Sequence, residues 1–172
     1  SMILDYSIYQ NGKLWPQKAA GTNGSKKEIT VKYAIQKSFN TVPVRIITEM
    51  LGVNEAYNFM KKTFHLTTLD DSADANIAPL ATGALTNGVT TVEMAAAYAV
   101  FGNNGYYYEP YCYYKVTNAT GTEVLLETKS EPERVLSEDT AEVMRELLKT
   151  VPARDFRKSK NLGKFELMSK TG

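Results

Sequence analysis

Two groups of polar residues, far apart in the chain, carry side chains suited to acyl transfer. The hydroxyl of Ser38 could relay a proton between an amine and a leaving nitrogen, and the carboxamide of Asn40 could hold a substrate amide. In the second group, Lys170 supplies a positive charge and Thr171 a hydroxyl donor for a terminal carboxylate, while Gly172 leaves room for substrate beside the backbone. We predict Ser38, Asn40 and Lys170 as catalytic residues, and Thr171 and Gly172 as substrate-binding residues.

Each group also has a purely structural interpretation. Ser38 and Asn40 are residue types that commonly cap a helix or form a turn. Residues 170–172, taken alone, could simply be the end of a strand. The occurrence of both groups in one chain, in this order and widely separated, favours the functional interpretation.

Helices must position the first group, and their capping residues can be found in the sequence. Ser38 follows a helix predicted over residues 30–37 and capped by Thr30. A second helix is predicted over residues 41–51, because Pro43 is tolerated in a first turn and Gly52 ends the helix. Three further helices are predicted over residues 54–62, 94–101 and 137–150. The second of these follows a capping box and is rich in alanine, so a neighbouring helix can approach it closely.

Two regions have the pattern of strands. Residues 107–127 are rich in β-formers around an Asn-Ala-Thr-Gly turn, which predicts a hairpin, and residues 165–171 alternate as a strand does. We predict an extended loop over residues 1–28, with an expression remnant at 1–2, and a partial catalytic domain over residues 29–172. The predicted fold class is α+β and predominantly helical.

Composition excludes several classes of function. The 172 residues are 43% hydrophobic and 23% charged with a net charge of +1, so no nucleic-acid partner is indicated. One histidine and one cysteine make a metal site unpromising, and we expect no cofactor. No apolar run approaches the ~20 residues needed to span a bilayer, so we expect this chain to be soluble.

The motifs give the chain a resemblance to a known family. Ser38-Phe39-Asn40 matches the second motif of the active-site-serine penicillin-recognising enzymes, and Lys170-Thr171-Gly172 matches the third. Residues 81–90 and the stretch 88–94, which leads into an alanine-rich helix, strengthen the match. From about residue 15 onward the sequence resembles the transpeptidase domain of class A, bifunctional penicillin-binding proteins.

The resemblance implies a function, partners and a location. Such enzymes cross-link peptidoglycan stem peptides at the outer face of the cytoplasmic membrane: a serine attacks a D-Ala-D-Ala bond and passes the acyl group to an amine, and β-lactams trap the acyl-enzyme. The implied fold is the helical part of a β-lactamase-like transpeptidase domain. The nucleophile of the family belongs to a Ser-x-x-Lys motif, and none of the serines in these 172 residues has a lysine three positions later. We therefore expect a membrane-anchored parent protein to be active and this chain alone to be inactive.

Two other functions stay open. The chain could be a non-catalytic module or sensor that binds peptidoglycan peptides or β-lactams without turnover. It could also derive from a β-lactamase or carboxypeptidase, although the segments between the two motifs are more similar to the class A synthases. Because a terminal strand without a neighbour leaves an open sheet edge, we also predict a homodimer.

Overall fold

A computed structural model describes residues 1–17, 23–151 and 165–171. Within these ranges the secondary structure is mainly helical. The helices are α1 (Val31–Lys37), α2 (Thr41–Arg45), α3 (Val53–Thr63), α4 (Ile77–Thr82), α5 (Thr91–Gly102) and α6 (Glu138–Leu148). A π-helical segment, Ile46–Leu51, continues α2. The predicted α+β class, with helices as the larger part, is confirmed.

Capping residues account for the starts of three of the six helices. The Thr30 hydroxyl accepts from the Tyr33 backbone N–H at the start of α1, and the Ser137 hydroxyl accepts from Thr140 in the same way in α6. The predicted capping box of α5 is present, with Thr90 and Glu93 each bonded to the other's backbone. Helix α3 begins at Val53, directly after Gly52 and one residue before the predicted start at residue 54.

Short strands pair two by two among the described residues. They are β1 (Met2–Leu4), β2 (Ile8–Gln10), β3 (Lys13–Trp15), β4 (Glu28–Thr30), β5 (Tyr106–Tyr107), β6 (Lys115–Thr117), β7 (Val124–Glu127) and β8 (Glu133–Arg134). All pairings are antiparallel: β1 with β4, β2 with β3, β5 with β8 and β6 with β7. The predicted hairpin is therefore present as β6 and β7, whereas β5 pairs with β8.

The prediction for the first 28 residues is corrected. Residues 1–28 are not one extended loop, because they contribute β1 to β3 and the first residue of β4. These strands have three residues each, too few for an alternating pattern to show in the sequence. Helix α4, Ile77–Thr82, is a further element that was not among the predicted helices.

The predicted strand at residues 165–171 is not formed. A strand needs a paired edge, and this segment instead reaches the end of a helix, where the Ser169 N–H bonds the Leu148 carbonyl at 3.5 Å. The terminal strand whose open edge suggested a homodimer is therefore not formed by residues 165–171.

The core lies between the helices and fixes their relative positions. Tyr57 of α3 forms one buried cluster with Leu66 and Leu69. Ala96, Val100 and Tyr107 form a second cluster, and Phe64 packs against both. Helix α6 packs against α5 and also against α1. This packing places the end of α1 next to the end of α6, where the candidate site lies.

Candidate functional site

Ser38 lies at the turn between α1 and α2. Its backbone is left-handed, with φ 57° and ψ 49°, which is uncommon for a residue with a side chain. The turn is closed by two hydrogen bonds back to the helix, from Ser38 N–H to the Ile35 carbonyl at 3.1 Å and from Phe39 N–H to the Ala34 carbonyl at 3.0 Å. The hydroxyl-bearing residue is exposed and so is accessible to a ligand.

Asn40 immediately precedes α2 and is also exposed. An asparagine at this position often accepts a hydrogen bond from the first turn of the helix. Here its side chain makes no such bond, although its carbonyl accepts from Val44 N–H at 3.4 Å. The carboxamide of Asn40 is therefore not used in capping α2.

Lys170 reaches Ser38 from the other end of the sequence. Its Nζ donates a hydrogen bond of 2.8 Å to the Ser38 Oγ and also donates to the carbonyl oxygen of Thr171. The segment that carries Lys170 is attached to the end of α6, where Lys149 Nζ lies 3.0 Å from Glu166 Oε2. The two predicted groups therefore meet, because α6 brings the second group beside the first.

The meeting point is the polar mouth of an apolar cleft with a volume of about 690 Å³. Ser38, Asn40, Lys170 and Thr171 all line it, so four of the five predicted residues share one cleft. Gly172 lies outside the described residues. The remaining lining is mostly apolar and comes from α1 to α6 and nearby residues: Val31, Ala34, Ile35, Phe39, Val42, Pro43, Ile46, Met60, Phe64, Leu66, Ala81, Thr82, Met94, Ala97, Tyr98, Phe101, Met144 and Leu148.

The apolar residues that line the cleft were not predicted as site residues from the sequence. Met94 and Tyr98 are one turn apart on α5, and Met144 and Leu148 have the same spacing on α6. This spacing predicts an apolar helix face but does not tell whether the face is filled by the core or lines a cleft. Burial raises the pKa of Tyr98, so its phenol stays neutral at ordinary pH.

The site offers a particular set of chemical groups. An ammonium lies in contact with a hydroxyl, a carboxamide lines the same cleft, and the rest of the lining is mostly apolar. Such a hydroxyl can pass a proton between two other groups, and the ammonium stabilises negative charge near it. No cluster of three or more His, Cys, Asp or Glu side chains suited to a metal ion occurs within residues 1–17, 23–151 and 165–171.

Comparison with known proteins decides the family. A family model described as "Penicillin binding protein transpeptidase domain" matches residues 3–172. The chain belongs to the penicillin-binding protein transpeptidase family. The resemblance inferred from the two motifs is thus confirmed.

Relatives of known name place the chain among the class A penicillin-binding proteins. It is 35% identical to penicillin-binding protein 1A of Clostridium botulinum over 84% of this chain and 17% of the relative. It is 40% identical to penicillin-binding protein 1A of Clostridium acetobutylicum over 73% of this chain and 15% of the relative. The chain therefore spans less than a fifth of the length of these penicillin-binding proteins.

A solved structure supports the fold. The D,D-transpeptidase domain of a peptidoglycan glycosyltransferase from Eggerthella lenta is similar with a TM-score of 0.75 and 18% identity, over 100% of this chain and 48% of that chain. At this identity the similarity concerns the fold. Among the described residues of our penicillin-binding protein chain, no helix is long and apolar enough to cross a lipid bilayer.

Proposed function

We propose that this chain is the helical part of a serine D,D-transpeptidase that cross-links peptidoglycan stem peptides and is inhibited by β-lactams. The observation that carries the proposal is the hydrogen bond of 2.8 Å between Lys170 Nζ and Ser38 Oγ at the mouth of the cleft. Membership of the penicillin-binding protein transpeptidase family supports it.

The nucleophile comes from outside these 172 residues, since none of their serines belongs to a Ser-x-x-Lys motif. In the parent protein its hydroxyl attacks the carbonyl carbon of the penultimate D-Ala. The C–N bond to the last D-Ala breaks, and the proton of the nucleophile passes through the Ser38 hydroxyl to the leaving nitrogen. In the second half of the reaction an acceptor amine attacks the ester, and its proton returns to the nucleophile by the same route.

The other polar groups of the mouth bind substrate. The Asn40 carboxamide holds a backbone amide of the stem peptide, because it offers both a donor and an acceptor. Lys170 and the hydroxyl of Thr171 bind the terminal carboxylate of D-Ala or the carboxylate of a β-lactam. Gly172 would let the peptide lie close to the backbone.

The parent protein acts at the outer face of the bacterial cell membrane in this proposal, and its anchor lies outside the described residues. Cell fractionation with an antibody against this chain tests the location. A homodimer of the chain stays a prediction, which sedimentation of the purified chain tests directly.

Labelling with a fluorescent penicillin tests the proposed function. The full-length parent should form a covalent adduct that survives denaturation, and the isolated 172-residue chain should neither form this adduct nor hydrolyse the drug. An unlabelled parent protein would contradict the transpeptidase assignment. Covalent labelling of the isolated chain would contradict the placement of the nucleophile outside it.

A non-catalytic sensor is the second candidate, because the polar groups of the cleft could bind a peptide or a β-lactam without a nucleophile. A sensor would bind a β-lactam or a D-Ala-D-Ala peptide reversibly. Equilibrium binding of the labelled peptide, combined with no covalent labelling of the full-length parent, would support the sensor. Rapid release of hydrolysed penicillin by the parent would instead indicate a β-lactamase or carboxypeptidase.

A further inference from the structure

A buried carboxyl group lies on the inner side of the turn that carries Asn40. Asp5 follows β1 and is 0% exposed. Its Oδ1 accepts a hydrogen bond of 2.6 Å from the hydroxyl of Thr41, which is itself 1% exposed. Thr41 is the first residue of α2 and directly follows Asn40. The two neighbours therefore face opposite ways, with Thr41 turned inward to Asp5 and Asn40 exposed in the cleft.

Asp5 is held firmly enough to serve as a fixed point. The Ser25 N–H donates to its Oδ2 at 2.9 Å, and its own backbone is bonded in both directions, from Lys26 N–H at 2.9 Å and to the Lys27 carbonyl at 2.9 Å. Gly24 fits closely against it, since a Cβ at position 24 would lie 2.4 Å from the Asp5 carbonyl oxygen. The carboxyl group thus belongs to a tightly bonded segment of backbone.

The same segment also contacts the other end of α2. The Arg45 Nε donates to the Tyr6 carbonyl at 2.8 Å. Asp5 and Tyr6 therefore hold the first and last residues of a helix that is five residues long. On its upstream side the turn is already closed by the bond from Phe39 N–H to the Ala34 carbonyl. Asn40 lies between Phe39, which is bonded to α1, and Thr41, which is bonded to Asp5.

These contacts matter for Asn40 because its own side chain does not bond to α2. The position of the Asn40 carboxamide therefore depends on the backbone of Asn40. The next residue, Thr41, is held in place by its hydrogen bond to Asp5. A well-packed apolar pair at positions 5 and 41 could serve the stability of the fold as well as this buried polar pair does. The hydrogen bond is directional, so it defines the position of Thr41 relative to Asp5, which an apolar contact would not do.

We propose that Asp5 is a positioning residue, which acts through Thr41 to hold the carboxamide of Asn40 in the place where it meets substrate. The proposal rests on the proposed transpeptidase function for its kinetic consequence, while the effect on Asn40 itself is independent of that function. Displacing a substrate-positioning group by about 1 Å can cost ~100-fold in rate.

The test compares three substitutions. Thr41→Val removes the hydroxyl and keeps the shape of the side chain, whereas Thr41→Ser keeps the hydroxyl. The matched control is Ser7→Ala: Ser7 is 2% exposed, and its hydroxyl donates to the Pro16 carbonyl at 2.6 Å, so its loss also removes a buried hydrogen bond from the same segment. Should Thr41→Val fail to fold, Thr41→Ala removes the hydroxyl without placing a methyl group against the carboxyl.

Penicillin acylation of the full-length parent gives the first measurement. We expect Thr41→Val to slow acylation by about 10- to 100-fold, with Thr41→Ser and Ser7→Ala staying within about twofold of the parent. Equal losses in Thr41→Val and Ser7→Ala would show a merely structural role and overturn the proposal, as would unchanged acylation in Thr41→Val.

NMR of the isolated 172-residue chain gives the second measurement and requires no activity. The side-chain amide resonances of Asn40 should shift or broaden in Thr41→Val and keep their positions in Thr41→Ser and Ser7→Ala. Unmoved Asn40 resonances in Thr41→Val would contradict the positioning role. If the unsubstituted parent is not acylated, the proposed transpeptidase function is wrong. The NMR result still decides the role of Asp5 in that case.

Discussion

Lys170 and Ser38 are joined by a hydrogen bond of 2.8 Å although 132 positions separate them in the sequence. The donor is an ammonium group, and such charge-assisted bonds are stronger than those between neutral groups. The contact holds the Ser38 hydroxyl as an acceptor from Lys170, which leaves the hydroxyl proton free to point toward a third group. That arrangement suits a proton relay better than a hydroxyl bonded only within its own turn.

The first prediction concerns these two residues in the full-length parent protein. Because a positioned proton-transfer group contributes typically 10²–10⁴-fold, we expect Ser38→Ala to slow penicillin acylation by about that factor. We expect Lys170→Ala to have a similar effect, because Lys170 holds the Ser38 hydroxyl as an acceptor. The double substitution should cost far less than the product of the two effects, since the residues act as one unit. Stopped-flow acylation measures all three proteins.

A lysine paired elsewhere supplies the control for this prediction. Lys61 forms an ion pair with Asp71 and does not line the cleft. Lys61→Ala should therefore acylate within about twofold of the parent. If Ser38→Ala and Lys170→Ala behave like Lys61→Ala, the roles assigned to both residues are wrong.

The second prediction is a dependence of stability on pH that comes from Glu93. Its Oε1 accepts from the Thr67 hydroxyl and N–H, both at 2.7 Å, and its Oε2 accepts from the hydroxyl and N–H of Thr90. These bonds, those from Thr67 first, lower the pKa of Glu93 from 4.5 to about 2. A lowered pKa in the folded state means stability that is present above pH 4.5 and is lost as the pH falls toward 2.

Glu93→Gln should remove this contribution. Allowing for solvent screening at a partly exposed group, we expect a loss of ~1–2 kcal/mol at neutral pH and a smaller loss near pH 2. Thr67→Val, which removes the first of the bonds, should give part of the effect. Urea unfolding of the isolated chain between pH 2 and 7 measures the unfolding free energy. If this free energy changes with pH equally in the unsubstituted chain and in Glu93→Gln, Glu93 is not a source of the pH dependence.

Local signals in the sequence were sufficient for much of the fold. Thr30, Thr90 and Ser137 identify the starts of three helices, since each hydroxyl caps the first turn in a way that depends on neighbouring residues alone. The turn of the hairpin was predicted for the same reason. Motif similarity assigned Ser38 and Lys170 to one function, and no local propensity could have shown their contact.

What could not be predicted depends on partners distant in sequence. The three-residue strand β1, for example, exists because it pairs with β4. The predicted terminal strand is not formed because its residues contact the end of a helix instead of a sheet edge. The π-helical continuation of α2 has no signal in composition. The contact between Asp5 and Thr41 spans 36 positions and involves residue types that are usually exposed.

The third prediction compares two glycines at the end of α5. Gly105 has φ +90°, and a Cβ there would lie 2.2 Å from the Leu136 carbonyl oxygen, whereas a Cβ at Gly102 would meet nothing within 4 Å. Gly105→Ala should therefore destabilise the chain by more than ~2 kcal/mol, because backbone must move. Gly102→Ala should be neutral or slightly stabilising, since alanine favours helix. Thermal unfolding compares them, and equal midpoints would contradict the close approach of residue 136.

The fourth prediction separates the functional from the structural interpretation of Asn40. A capping asparagine replaced by alanine typically costs ~1 kcal/mol of stability. Because the Asn40 side chain is exposed and makes no capping bond to α2, we expect Asn40→Ala to change the unfolding free energy of the isolated chain by less than about 0.5 kcal/mol. In the full-length parent the same substitution should weaken acylation at least about tenfold, through the loss of a substrate hydrogen bond.

Ser137→Ala is the matched control for Asn40→Ala, because the Ser137 hydroxyl does cap a helix, accepting from Thr140 N–H at 3.2 Å. It should lower stability by ~1 kcal/mol and leave acylation unchanged, since Ser137 does not line the cleft. The two substitutions thus have opposite expected effects on stability and activity. A stability loss in Asn40→Ala equal to that in Ser137→Ala, with normal acylation, would make residue 40 a helix cap and remove it from the site.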